Sequence, residues 1–137
     1  MKQLKNYLLT LCLVTAGTLW MNATAQTVRY VKAGGAGAAD GSSWADASGD
    51  LQEMINASAV SDEIWVAAGT YQPNRPANNL TTIDAANRDN AFVLKTGVSL
   101  LGGFPDAGTP VLNDRDWNTF PSILSGDIGT AGVNTDN

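Results

Sequence analysis

The residues able to do chemistry in this 137-residue chain are few, and most of them are carboxylates. Asp114 and Asp116 flank Arg115, with Trp117 next and Asp127 close behind. Paired carboxylates can hold Ca2+ through hard oxygen ligands or act as general acid and base. An arginine between two acids and beside a tryptophan fits a salt-bridged, packed corner better, so no catalytic or metal-ligating residue is assigned. Ca2+ is the only ion these side chains suggest, and no other cofactor is expected. Asp40-Gly41-Ser42-Ser43 lacks the further carboxylates of a calcium loop and reads as a turn. Histidine is absent, which removes the usual general base and any Ser-His-Asp arrangement within these residues.

Two other features invite a functional reading. Gly35-Ala36-Gly37 follows a strand-like run and precedes a helical one, as a dinucleotide-binding turn would. The third position of that fingerprint is Asp40, a carboxylate where a pyrophosphate would sit, so a turn between elements is the better reading. Trp44, Trp65 and Trp117 could stack on sugar rings. Packing suits Trp44 and Trp117, whereas Trp65 alternates with Ile64 and Val66 and so points away from the inner core. Trp65 is the candidate carbohydrate contact, unless Trp44 or the polar loop that follows covers it.

The N-terminus carries an address. Lys2 and Lys5 precede an apolar run from Leu8 to Met21, and Ala23-Thr24-Ala25 offers small residues for cleavage between Ala25 and Gln26. The run is shorter than the roughly 20 residues of a spanning helix, so residues 1–25 read as a cleavable signal peptide rather than an anchor. Leu11 before Cys12 does not fit a lipidation site. With Cys12 removed, the remainder has no cysteine, and so no disulfide and no cysteine-ligated metal. Cleavage also removes Lys2 and Lys5, leaving six basic against thirteen acidic side chains, a net charge of −7. Such a balance disfavours nucleic acid and anionic membrane surfaces as partners. The expected product is an exported protein, secreted or at the cell surface, that does not span a membrane after cleavage.

The elements that must position these residues are mostly strands. Residues 26–71 hold a strand at Thr27–Ala33, the Gly-rich loop, a helix near Gly49–Ala59 and a strand region at Glu63–Val66 and Thr70-Tyr71. Leu51, Met54 and Ile55 give the helix one apolar face, with Ala59 a turn further on. Ser48 is the expected N-cap, with Asp50 and Glu53 in the first turn. Residues 72–90 form a long polar loop. Residues 91–128 hold further strands at Ala91–Lys95, Val98–Phe104 and Ser122–Leu124, and residues 129–137 are a polar tail. This is an all-β pattern of short strands with one helix placed to cover the first edge against unwanted pairing. The alternative is an antiparallel β-sandwich with a hairpin turn at Thr96-Gly97, although Asn-Gly and Asp-Gly are the favoured pairs there.

The run from Asp40 to Ala47, then Leu51-Gln52, then Asp62 to Pro73 resembles bacterial surface proteins of the right-handed parallel β-helix, or pectin-lyase-like, superfamily. Phe92–Lys95, Val98–Phe104, Arg115-Asp116-Trp117 and Ile123–Ile128 extend the resemblance over most of Tyr30 to Ile128. It implies the N-terminal cap and first coils of a right-handed parallel β-helix. Members include polysaccharide lyases and hydrolases alongside non-enzymatic, adhesin-like surface proteins, with polysaccharides or cell-surface glycans as partners. The motifs present are those of the cap, which implies a structural, adhesin-like or carbohydrate-binding role. The alternative is the front of a lyase or hydrolase whose active site lies after Asn137. The resemblance implies an outer-membrane-associated location and a truncated chain.

Expression in a bacterial host with intact secretion should yield an exported chain whose N-terminal residue is Gln26. Mass spectrometry of the exported material checks this, and an unprocessed Met1 or lipidated Cys12 would refute it.

Overall fold

The computed structural model describes residues 25–129 and 132–133, so the leader expected over residues 1–25 lies outside the described residues except for Ala25. Three strands run side by side in one direction: β1 (Val28–Val31), β2 (Glu63–Ala67) and β4 (Ser99–Phe104), in the order β1-β2-β4. Val28 faces Glu63 and Glu63 faces Ser99, so each return of the chain takes 35 or 36 residues. One bend beyond β2, β3 (Gly69–Tyr71) pairs in parallel with β5 (Ser122–Leu124), Tyr71 facing Leu124. The structure is thus small parallel sheets with one helix, and the antiparallel sandwich is overturned. Gly97 does form a turn, at φ +77°, but the segment before it is not a ladder strand, so no hairpin forms there.

The expected strand at Ala91–Lys95 is absent for a specific reason. Val93 donates its N–H to Gln52 Oε1 at 2.8 Å and accepts from Gln52 Nε2 at 3.1 Å. The Gln52 side chain is 1% exposed and supplies the donor and acceptor that a neighbouring strand would have supplied. The backbone at the centre of the segment is thus bonded without entering a sheet.

The helix, α1 (Leu51–Ala57), begins two residues later than Ser48 capping would require. Asp50 is the N-cap, and its side chain accepts from the Glu53 N–H at 2.9 Å. Ser48 is instead committed to the edge of β1, donating its N–H to Tyr30 O and accepting from Lys32 N. Leu51, Met54 and Ile55 are buried with Val31, Ile64, Val66 and Tyr71, as the apolar spacing of α1 predicts. Ala59 lies past the helix and is exposed. On the opposite face of the sheet, Trp44, Ala67 and Phe104 form a second buried cluster with Tyr30, Trp65 and Leu101 against it.

The two outer edges of the sheet are treated differently. Turns from Gly34 to Ser48 fold over β1 through Tyr30 N to Gly41 O, Ala36 N to Ala47 O and the Ser48 bonds. Close approach requires glycine at position 37, where φ is +47° and a Cβ would press on Ala45 O. The outer edge of β4 has no strand partner among the described residues. Beside it, Ile123 and Leu124 are about half exposed, and a cavity of about 110 Å³ opens between Val66, Leu100 and Leu124. Residues 72–90 fold back on themselves through a bridge between Pro76 and Asn90. Among the described residues no helix is long and apolar enough to cross a membrane.

Amide hydrogen exchange should be slowest in β2, which is paired on both sides, and faster for the outward amides of β4. Equal protection of the two strands would contradict this edge assignment. Gly37→Ala should lower unfolding stability by about 1–3 kcal/mol, combining backbone strain with a clash that cannot relax cheaply. Urea denaturation checks the shift.

Candidate functional site

Asp50 is the most heavily used side chain at the junction of helix, strands and loop. Its Oδ1 accepts from the Glu53 N–H at 2.9 Å and from Arg75 NH1 at 2.7 Å. Its Oδ2 accepts from Asn74 Nδ2 at 2.8 Å and from Arg75 NH1 at 2.6 Å. Arg75 NH1 also contacts Asn74 Oδ1 at 2.8 Å, so its two hydrogens are shared among three oxygens, and both oxygens of the Asp50 carboxylate are engaged. Burial pushes the Asp50 carboxyl up, but the bonds from Asn74, Glu53 and Arg75, with the Arg75 charge, outweigh it and hold the pKa below 3.8. Asp50 is therefore an engaged structural anion and not a poised base. Arg75 is itself buried and makes the only salt bridge among the described residues.

This pair fastens the 72–90 excursion to the start of α1 and leaves a cleft of about 590 Å³ above it. Gly34, Gly49 and Asp50 line it from the α1 side and Gln72 and Asn74 from the excursion, and Ala86 and Ile128 also line it. Gln72 Nε2 donates to Asp127 O, and Asp84 N donates to Asn74 O at 2.9 Å, which holds the excursion side in place. Tyr71 lies beneath, its hydroxyl donating to Ala67 O at 2.9 Å and its pKa pushed up to about 12 by burial. A phenol so placed does not exchange protons near neutrality.

The structure distributes the sequence-derived candidates elsewhere. Trp65 is half-buried, stacked on Phe104 with ring centroids 4.7 Å apart and edge-on to Tyr30 at 5.7 Å. Its Nε1 donates to Glu63 Oε2 at 2.8 Å, so the cover comes from the aromatic cluster and not from the polar loop. The face of Trp65 against Phe104 is closed to a sugar. Trp44 is packed, with its Nε1 bonded to Pro110 O at 2.7 Å. Trp117 is 70% exposed, which overturns its expected burial. The turn around it is closed by Asp116, which accepts from Asn118 N and Thr119 Oγ1, and this leaves the indole outside.

The acidic corner is not salt-bridged either. Arg115 donates from Nε to Gly102 O at 2.8 Å and lies 5.5 Å over the Phe104 ring. Asp114 accepts from Val111 N, and Asp127 accepts from Gly132 N, each closing its own turn. Among the described residues no three His, Cys, Asp or Glu side chains gather around a point where a metal ion could sit. Asp40 accepts from Ser42 N at 2.8 Å, the bond of a turn. The Gly-rich loop lies against residues 45–49, as a connector does. Ala25 and Gln26 are exposed ahead of β1. Sequence reasoning missed the Asp50–Arg75 pair. The available signal was an arginine between Asn74 and Pro76 at the front of a loop otherwise rich in Asn and Pro.

The pair generates a pH dependence. A carboxyl whose pKa is lowered by folding contributes stability above its unfolded value and loses it as pH falls through the folded one. Wild-type protein should therefore lose stability as pH falls from about 4 downward, and Asp50→Asn should flatten part of that loss. Urea midpoints at pH 7 and pH 2.5 test this, and an unchanged slope in the variant would refute it. Arg75→Met should cost about 1–3 kcal/mol at pH 7, because Asp50 loses its charged partner while half-enclosed.

No family model matches the chain, and neither a curated protein nor a solved structure matches it.

Proposed function

We propose that this chain forms the capped entrance and first coils of a right-handed parallel β-helix in an exported bacterial surface protein, with a structural, adhesin-like role and glycans as partners. The difference between the two edges of the parallel sheets carries this reading. Strands that recur in parallel at 35 or 36 residues, each followed by a bend, suit a coil in which every rung stacks on the last. The right hand is the one that strand twist favours for parallel crossovers. The α1 helix and the Gly34–Ser48 turns cover one end, while at the other, among the described residues, β4 and β5 have no strand on their outer edges and Ile123 and Leu124 are half exposed. That asymmetry fits the beginning of a stack. The resemblance of Asp40–Pro73 to surface β-helix proteins and the leader-like first 25 residues support the address. A binding role is favoured over a catalytic one because Asp50, Asp114, Asp116 and Asp127 are each engaged in a local cap or turn.

Treating intact cells of the producing bacterium with a membrane-impermeant biotin ester should label the protein on lysines, and mass spectrometry would locate them. Labelling only after cell lysis would refute the surface reading. Antiparallel contacts between β2 and β4 in solution NMR would refute the coil.

A further inference from the structure

We propose that the cleft between the start of α1, the end of β3 and the 72–90 excursion binds a short, uncharged stretch of glycan. This assignment rests on the glycan-facing reading above and gives it a location. At about 590 Å³ the cleft lies within the range of sites that enclose a small organic ligand. Its walls are held before any ligand arrives: Arg75 and Asn74 clamp Asp50, Asp84 N holds Asn74 O, and Gln72 is tied to Asp127 O. A wall already ordered keeps the entropic cost of binding low.

The charge of the cleft selects among ligands. Asp50 is the only ionised wall residue among the described residues, and both its oxygens are engaged by Glu53 N, Asn74 Nδ2 and Arg75 NH1. Among the described residues no lone cation faces the space to hold a phosphate or a uronate, and no open carboxylate waits there for an amine or a metal ion. What remains are the Gln72 side-chain carbonyl, the Thr70 hydroxyl and the backbone at Gly34 and Gly49, beside apolar Ala86 and Ile128. Gly34, at φ +81°, has open space where a side chain would stand, so its peptide can be approached directly. A neutral sugar presents hydroxyls around its rim and C–H groups on its faces. Uncharged donors and acceptors next to apolar walls match that pattern.

The test is a titration of the 15N-labelled protein, followed by NMR, with cellotriose, maltotriose, chitotriose and galactotriose in turn. Trigalacturonate serves as the anionic counterpart. At least one neutral trisaccharide should give saturable shifts centred on the amides of Gly34, Gly49 and Gln72, and trigalacturonate should give none. Gln72→Ala should weaken that binding about three- to tenfold, the worth of one hydrogen bond. Ala86→Trp should abolish it while leaving amides outside the cleft unshifted, and Ala85→Trp repeats the test if the first variant does not fold. The assignment is overturned if no neutral sugar saturates at those amides, if trigalacturonate binds equally well, or if binding survives the tryptophan. Those results leave the coil reading standing when the parallel β1-β2-β4 contacts persist in the same spectra. Loss of those contacts would instead refute the coil.

Discussion

Strand β2 hydrogen-bonds along both of its edges to strands running the same way, and this pairing sets the plan of the molecule. Parallel neighbours cannot be joined by a tight hairpin, so the chain must travel a long path between rungs. Everything distinctive about the protein sits in those paths: the Gly-rich turns and α1 in the first, the 72–90 excursion in the second, the Trp117 turn after β4. Both faces of β2 are covered, Ile64 and Val66 by the helix side and Trp65 by the aromatic side. A strand buried on two faces reads as a nearly continuous apolar run, which is what Ile64-Trp65-Val66-Ala67 is.

The helix fastens the second path with two polar side chains. Asp50 at its N-cap grips Arg75 and Asn74 at the front of the excursion. Gln52, in the first turn, holds Val93 by both its donor and its acceptor. Burying these groups costs free energy unless every bond is made, so the excursion has little freedom to shift once α1 is seated. The cleft inherits its shape from that constraint. One carboxylate caps a helix, neutralises a buried arginine and braces a cavity wall, which leaves it no capacity for catalysis.

Much of the architecture was legible because local pattern and burial agree. The β-branched and aromatic runs at β1 and β2 and the apolar run Val98–Leu101 at the start of β4 announce strands, and the Leu51, Met54, Ile55 spacing announces the buried face of α1. Errors arose where a backbone or charged group found a partner from outside its own segment. Ala91–Lys95 has strand-like residues but takes its bonds from the Gln52 side chain. Ser48 is a good cap by type, yet β1 claims its backbone, and Asp50 takes the role. Arg115 stands between two acids in sequence but reaches for Gly102 O and the Phe104 ring, because each acid closes its own turn.

By itself the sequence determined the leader-like first 25 residues, the acidic balance, the absence of histidine, and the alternation that makes short strands with one amphipathic helix. These are properties of composition and of neighbours within a few residues, which chain chemistry expresses directly. Tertiary structure alone decided the direction of strand pairing, the union of Asp50 with Arg75 twenty-five residues away, and the cleft they support. Such contacts have no local signature. They exist because the parallel sheet brings distant returns of the chain to the same place, where a buried charge must find its partner or stay in water.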